Sequence, residues 1–245
     1  KKTGQEKANC LIIAENDLKA KELYEDYRLY NREVMFYPAK DLIFFEADVH
    51  GNLLTKERMK VLAALLEKKG VTVITSMGGC MDYLLPLETI EKHVLHFQSD
   101  SPLDMDKLKK QLLGMGYEKN AQAEAPGQFS FRGGIIDIFP LTEDNPVRIE
   151  LWGDEIDSIR SFDAESQRSI EQLDEILIYP ATELVLTKKE LLLGAERLRK
   201  EEKAFSEKLR KAMKTEEAHR IQSIVKELTE GMEEGWKITG LDSCV

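Results

Sequence analysis

The stretch from Gly127 to Asp163, GQFSFRGGIIDIFPLTEDNPVRIELWGDEIDSIRSFD, constrains this chain most, because its apolar positions alternate and then break phase. Phe129 and Phe131 ask for a core, and so do Ile136 and Ile138. The two pairs have opposite parity along a strand, where side chains alternate with period two. One residue therefore has to be absorbed between them. Gly133-Gly134 is the expected place, as a β-bulge, since glycine takes positive φ without a Cβ penalty. A hairpin is expected to turn at Thr142-Glu143-Asp144-Asn145-Pro146. Val147, Ile149 and Leu151 then face the core, while Arg148, Glu150 and Trp152 face outward. The phase shift adds Ser130, Arg132 and Asp137 to that outer face.

Arginine, glutamate and tryptophan cost little in water and bind strongly once a partner desolvates them, which is the residue pattern of a protein interface. An ordinary cross-strand charge pair beside an aromatic that covers a loop fits the same residues. Arg132 cannot be buried unpaired at tolerable cost, so it stays with the outer face. Arg160 and Arg168 are read as surface ion-pair partners that could also extend this face.

FRGGIIDIFP, PVRIELWGDEIDSIRSFD and the following SQRSIEQLDEILIYPA closely resemble the transcription-repair coupling factors (Mfd) in their UvrB-like N-terminal module. The likeness covers nearly the whole chain at lower density. It implies that the hairpin belongs to an inserted domain that binds the damage-recognition protein UvrA. Carried over residue by residue, the contact arginines fall on Arg132 and Arg148, the acidic contact on Glu150 and the contact aromatic on Trp152. Phenylalanine is commoner in the family at that last position, and tryptophan keeps an aromatic anchor there.

Net charge of −10 argues against a large nucleic-acid footprint, because phosphate binding rests on lysine and arginine. The imbalance is local: residues 101–187 hold 17 acidic and 8 basic side chains, whereas residues 188–214 hold 10 basic and 5 acidic. The acidic part favours a basic protein surface, with its outward arginines as particular anchors. Hydrophobic content of 42% with 33% charged residues is that of a water-soluble chain able to bury a core, and no apolar run approaches the roughly 20 residues of a membrane span. Cys10, Cys80 and Cys244 are too scattered for a disulfide framework or a zinc site, so no metal is expected and a reducing cytoplasm fits.

Along the chain, Lys1 to Lys7 is polar and reads as a frayed end. Ala8 to Ala14 reads as a buried strand, followed by a helix capped by Asp17 with Ala20, Leu23, Tyr24 and Tyr27 facing a sheet. Val34 to Tyr37 is a second strand, Thr55 opens a helix that Gly70 stops, and Val71 to Thr75 is a third strand before a short helix to about Leu85. This α/β layer invites a nucleotide reading, but no G-x-x-x-x-G-K-[ST] is present. Gly4 to Lys7 and Ser76 to Cys80 lack the paired lysine and hydroxyl of a phosphate loop. The resemblance agrees: the family's module is a degenerate relative of UvrB that does not hydrolyse ATP, and UvrB's long aromatic DNA-clamping hairpin is replaced by the short Tyr37–Thr55 segment. Phe44 and Phe45 in that segment read as a loop anchor.

From Leu87 onward a strand from His93 to Phe97, a helix capped by Asp104 or Asp106 with Leu108, Leu112, Leu113 and Met115 inward, the central hairpin, and strands near Ile156–Phe162 and Glu175–Tyr179 are expected. His93 and His96 lack a third ligand for zinc. Residues 188–232 read as two helices, the second starting at Thr215, with an apolar stripe of Leu191, Leu198, Phe205, Leu209, Met213, Ile221, Ile224, Val225, Leu228 and Met232. Trp236 to Leu241 is expected to form a short strand or dock.

The fold class is thus α/β: a partial parallel sheet domain, helicase-like and degenerate by resemblance, with an inserted α+β antiparallel-sheet domain and a C-terminal helical segment. Residues 1–86 form the first part of the parallel domain, 87–187 the inserted UvrA-binding domain, and 188–245 a helical segment packing back on the first domain. The function expected is a non-catalytic module of a bacterial transcription-repair coupling factor that recruits UvrA for nucleotide excision repair. The expected partners are UvrA and other domains of a longer chain, with no cofactor, no membrane and little direct nucleic-acid contact. Two alternatives remain: a structural or autoinhibitory module that masks other domains, and a UvrB-type ATP-dependent helicase subunit.

Overall fold

A computed structural model describes residues 8–40, 52–186 and 188–234. The expectations for Lys1–Lys7, for Phe44 and Phe45, for Cys244 and for the Trp236–Leu241 tail fall outside them. The chain divides into two compact units, Lys1–Val185 and Leu186–Val245.

The first unit opens with β1 (Cys10–Ala14), α1 (Asp17–Tyr27), β2 (Val34–Tyr37), α2 (Asn52–Leu66) and β3 (Thr72–Ser76). The strands form a parallel sheet in the order β1-β3-β2. α1 lays Ala20, Leu23 and Tyr24 on one face, against Ala14, Val34, Phe36 and Ile74. α2 lays Val61, Ala64 and Leu65 on the other, against Tyr37, Val71 and Val73. Coverage of both faces explains why β2 and β3 read as near-continuous apolar runs, whereas β1, expected to be buried, is an edge strand that leaves Leu11 and Ile13 exposed. Two boundaries and one buried position differ from expectation. Asn16 rather than Asp17 caps α1, its Oδ1 accepting from the Lys19 N–H at 2.9 Å. Tyr27, in the last turn of α1, is exposed rather than packed on the sheet. α2 begins at Asn52, three residues before Thr55.

α3 (Met77–Met81) follows β3 directly, capped by Ser76, and α4 (Leu87–Glu91) leads to β4 (Leu95–Gln98). Asp104 caps α5 (Met105–Gly114), accepting from the Lys107 N–H at 2.9 Å. Leu108, Leu112 and Met115 are buried, but Leu113 is exposed because it lies about 100° around the helix from Leu112. Then come β5 (Glu118–Lys119), β6 (Gln128–Arg132), β7 (Ile135–Ile138), β8 (Val147–Trp152), β9 (Glu155–Phe162), β10 (Ser169–Leu173) and β11 (Glu175–Ile178). Six of them form one sheet in the order β10-β9-β8-β7-β6-β5. β11 does not join it. Instead it pairs antiparallel with β4, Ile176 opposite Phe97 and Ile178 opposite Leu95.

The expected bulge at Gly133-Gly134 is a two-residue hairpin turn. Phe129 faces Ile138, Phe131 faces Ile136 and Arg132 faces Ile135, with no residue skipped. Across such a turn, facing residue numbers have a constant odd sum, so opposite parity is what an uninterrupted hairpin requires. Gly133 has φ +61° and Gly134 is not in the positive region, the pattern of a type II′ turn. A genuine bulge lies two hairpins later, between β8 and β9. Glu150 faces Ser158 and Leu151 faces Ile156, so Asp157 is the extra residue. It lets both Ile156 and Ile159 point inward despite opposite parity.

One face of the six-stranded sheet is therefore core: Phe129, Ile136, Ile138, Val147, Ile149, Ile156 and Ile159 pack with Leu108 and Leu112 of α5, Met59 and Leu62 of α2, and Phe97 of β4. The opposite face carries the charges. A core on one side only gives these strands their period-two alternation.

The second unit contains α6 (Lys188–Lys211) and α7 (Thr215–Glu234). The two pack antiparallel: Arg199 in the middle of α6 donates to Thr229 late in α7, and Arg210 at the end of α6 donates to Gln222 in the first half of α7. Ala195, Ser206, Ala218, Thr229 and Met232 are buried. Met213 leaves the expected stripe for the turn, at φ +61° and exposed, while Phe205 and Ile224 are half-exposed.

Candidate protein-binding face

The outer face of the six-stranded sheet is built by register. Asp137 stands opposite Ser130 on β6 and opposite Arg148 on β8, while Arg148 stands opposite Arg160 on β9. Facing residues project to the same side, so Arg132, Asp137, Arg148, Glu150 and Arg160 share one surface.

Asp137 is its hub. Its Oδ1 accepts from Arg148 Nε at 2.6 Å, and its Oδ2 accepts from Arg148 Nη2 at 2.9 Å and from Arg132 Nη2 at 2.7 Å. The Asp137 side chain is only 2% exposed, so a carboxylate without these partners would be a buried, uncompensated charge. Arg148 is held on two further sides. Its Nη2 donates to Gln167 Oε1 at 2.9 Å, and its guanidinium carbon lies 4.4 Å from the Phe162 ring centroid. The hydrogen bonds to Asp137 push the Arg148 pKa above the ordinary guanidinium value, so it is charged at every working pH.

The four carried-over residues differ in what they offer to solvent. Arg148 is 13% exposed and Arg132 is 43% exposed. Trp152 is 83% exposed, at the end of β8, where Gly153 with φ +64° starts the tight turn into β9. Arg132 and Trp152 sit at the same end of the sheet, two strands apart, or about 10 Å laterally. Glu150 accepts from Ser158 Oγ at 3.1 Å and pairs with Arg160, rather than with Arg132 or Arg148. Its facing residue across β8 and β9 is Ser158, with Arg160 the next outward residue, whereas Asp137 lies closest to the two arginines. Phe162, expected only as the end of a strand, and Gln167 were not marked as partners of Arg148, since neither a buried aromatic nor a loop glutamine marks an arginine site in sequence. Arg168, exposed beyond β9, forms no ion pair among the described residues.

The carboxyl ends of the parallel strands, where such sheets bind nucleotides, are filled by the chain's own groups. Asp17 Oδ1 accepts from the Ala39 N–H at 3.4 Å. Arg58, buried against the Tyr37 ring at 4.1 Å, donates to the Pro38 carbonyl and to Asp82 Oδ2, each at 2.7 Å, and pairs with Glu183. Burial pushes the Tyr37 phenol pKa up. In the Ser76–Cys80 segment, a Cβ on Gly79 would overlap the Thr75 hydroxyl, so that glycine serves close packing. Among the described residues no group of three or more His, Cys, Asp or Glu side chains is placed to hold a metal ion, and no helix is long and apolar enough to cross a membrane.

Residues 95–184, which contain this whole face, match the family model of the UvrB interaction domain. The chain is 38% identical over 189 residues to a transcription-repair-coupling factor of Bacillus subtilis, an alignment covering 76% of this chain and 16% of that protein. It is 36% identical over 185 residues to the same factor of Staphylococcus haemolyticus, covering 75% of this chain and 16% of that protein. It is 35% identical over 188 residues to the factor of Staphylococcus aureus, covering 76% and 16%. The chain spans about a sixth of the length of the curated relatives it matches. The chain therefore carries a UvrB interaction domain and is related to the transcription-repair-coupling factors over three quarters of its length.

Proposed function

We propose that this chain is a non-catalytic module that recruits UvrA in transcription-coupled nucleotide excision repair, and that it does so through the outer face of β6 to β9. The observation that carries this reading is the combination of an exposed Trp152 with the half-exposed guanidinium fork of Arg132, both on a rigid sheet within the segment that matches the UvrB interaction domain. A tryptophan and an arginine on a preordered surface lose little conformational freedom on docking, which is how a small patch comes to dominate an interface. Arg148 and Glu150 complete the face, each already paired within it.

The parallel layer supports a non-catalytic reading. Its strand ends are occupied by Asp17, Asp82 and Glu183, with Asp82 and Glu183 paired to Arg58 and Glu183 also to Lys40, so the groups that a triphosphate would need there are already engaged within the chain. In this reading, activities of the longer relatives reside in regions beyond the matched sixth, and the module works in the cytoplasm beside other domains of its chain. Isothermal calorimetry of purified UvrA with this chain tests the proposal. Saturable heat that is lost in Trp152→Ala supports it, and no heat at micromolar concentrations of both proteins contradicts it.

A further inference from the structure

We infer that Asp137 is a positioning residue for partner binding: it holds the Arg132 fork at the angle from which Arg132 engages UvrA, with Arg148 as the second arm of the clamp. The inference rests on the UvrA reading above and deepens it.

Three observations carry it. First, the carboxylate is almost fully buried yet accepts three charged hydrogen bonds, from both arginines. Second, Arg148 is anchored independently of Arg132, by Gln167 and by the Phe162 ring, so Asp137 cannot follow Arg132 if Arg132 moves. Third, Arg132 gives Asp137 only Nη2, and its other guanidinium donors have no partner among the described residues, on a side chain 43% exposed. The guanidinium is planar, so fixing one nitrogen on a rigid acceptor restricts the directions in which the others point. Fixing a long side chain before docking removes rotamer entropy that would otherwise be lost on binding. Arg148, mostly buried and using Nε and Nη2 inside the clamp, acts through Asp137 more than by direct contact.

The opposite role for Asp137 has a distinct signature. If the carboxylate merely competed with UvrA for the arginines, its removal would release them and strengthen binding. A positioning carboxylate weakens binding when removed.

The test is a double-mutant cycle read by calorimetry with UvrA: Asp137→Asn, Arg132→Ala and the double variant, with Trp152→Ala in parallel. Asp137→Asn is expected to weaken binding about tenfold, and Arg132→Ala to weaken it by less than about twofold further in that background, well below its cost alone, because an unheld arginine contributes little. A purely structural Asp137 would leave the cost of Arg132→Ala unchanged. Asp137→Asn binding as tightly as wild type, or more tightly, while Arg132→Ala and Trp152→Ala weaken it, overturns this inference and leaves the UvrA reading standing. Wild-type binding by both Arg132→Ala and Trp152→Ala overturns that reading itself. Should Asp137→Asn fail to fold, Asp137→Glu keeps the charge and moves it by one methylene. It is expected to weaken binding and to show the same coupling to Arg132→Ala, and wild-type affinity in that variant overturns the inference.

Discussion

Arg148 faces Asp137 directly across β7 and β8 and gives it two of its hydrogen bonds, at 2.6 and 2.9 Å, while stacking on Phe162. An outward parity therefore does not make Arg148 a surface residue. Arg148→Ala would leave a buried carboxylate with Arg132 alone and remove the cover over Phe162. It should destabilise the fold by about 2–4 kcal/mol in urea denaturation. Trp152→Ala, at a mostly exposed position, should change stability by no more than about 0.5 kcal/mol. Equal stabilities for the two variants would contradict the clamp.

The Gly133 turn gives a second expectation. At φ +61° an alanine is strained, so Gly133→Ala should cost about 1 kcal/mol, whereas Gly133→Asn should cost less, since asparagine tolerates positive φ. Thermal unfolding of both variants checks this. A bulge tolerant of any residue would show no difference between them.

Period-two alternation in β7 and β8 made the inner and outer faces legible, and the apolar runs of β1, β2 and β3 made the parallel layer legible. Which charges pair was not legible. Asp137 and Glu150 are both acidic and outward, and only the register across four strands assigns the arginines 132 and 148 to one and Arg160 to the other. The Gly-Gly parity was visible, but a turn and a bulge both answer it, and the two differ only in where the next strand pairs. β10, SIEQL, is exposed along almost its whole length and so carries no apolar alternation to reveal it. β11 was visible as a strand, but its partner β4 lies about 80 residues earlier, and nothing local encodes that pairing.

Arg58 supplies a third prediction. It bridges the Pro38 carbonyl, Asp82 and Glu183 from a fully buried position, so Arg58→Ala leaves two carboxylates short of their cation. A loss of about 3–5 kcal/mol is expected by denaturant titration. A loss below about 1 kcal/mol would mean that water replaces the guanidinium without cost.

Asp144 gives a dependence on pH. Lys60 and Lys56, each 3.3 Å away, hold its carboxyl below the usual aspartate value. A depressed folded pKa means that the stabilisation is present above the unfolded value and is lost as pH falls through the folded one. Asp144→Asn should therefore be slightly less stable than wild type at neutral pH and indistinguishable from it in acid. The side chain is 80% exposed, so the difference should also shrink in high salt. A difference that grows on acidification would contradict the assignment.

The filled strand ends of the parallel layer make nucleotide binding the sharpest negative test. Saturable binding of ATP at micromolar concentration, measured by fluorescence with a labelled nucleotide, would contradict a non-catalytic module, and none is expected.

The measurement closest to the central claim is the affinity of UvrA for wild type, Arg132→Ala, Trp152→Ala and a Lys200→Ala control on α6, each checked for folding by circular dichroism. Arg132→Ala and Trp152→Ala are each expected to lose about 1–4 kcal/mol of binding while remaining folded, with Lys200→Ala like wild type. Folded Arg132→Ala and Trp152→Ala proteins that bind UvrA as tightly as wild type would contradict it.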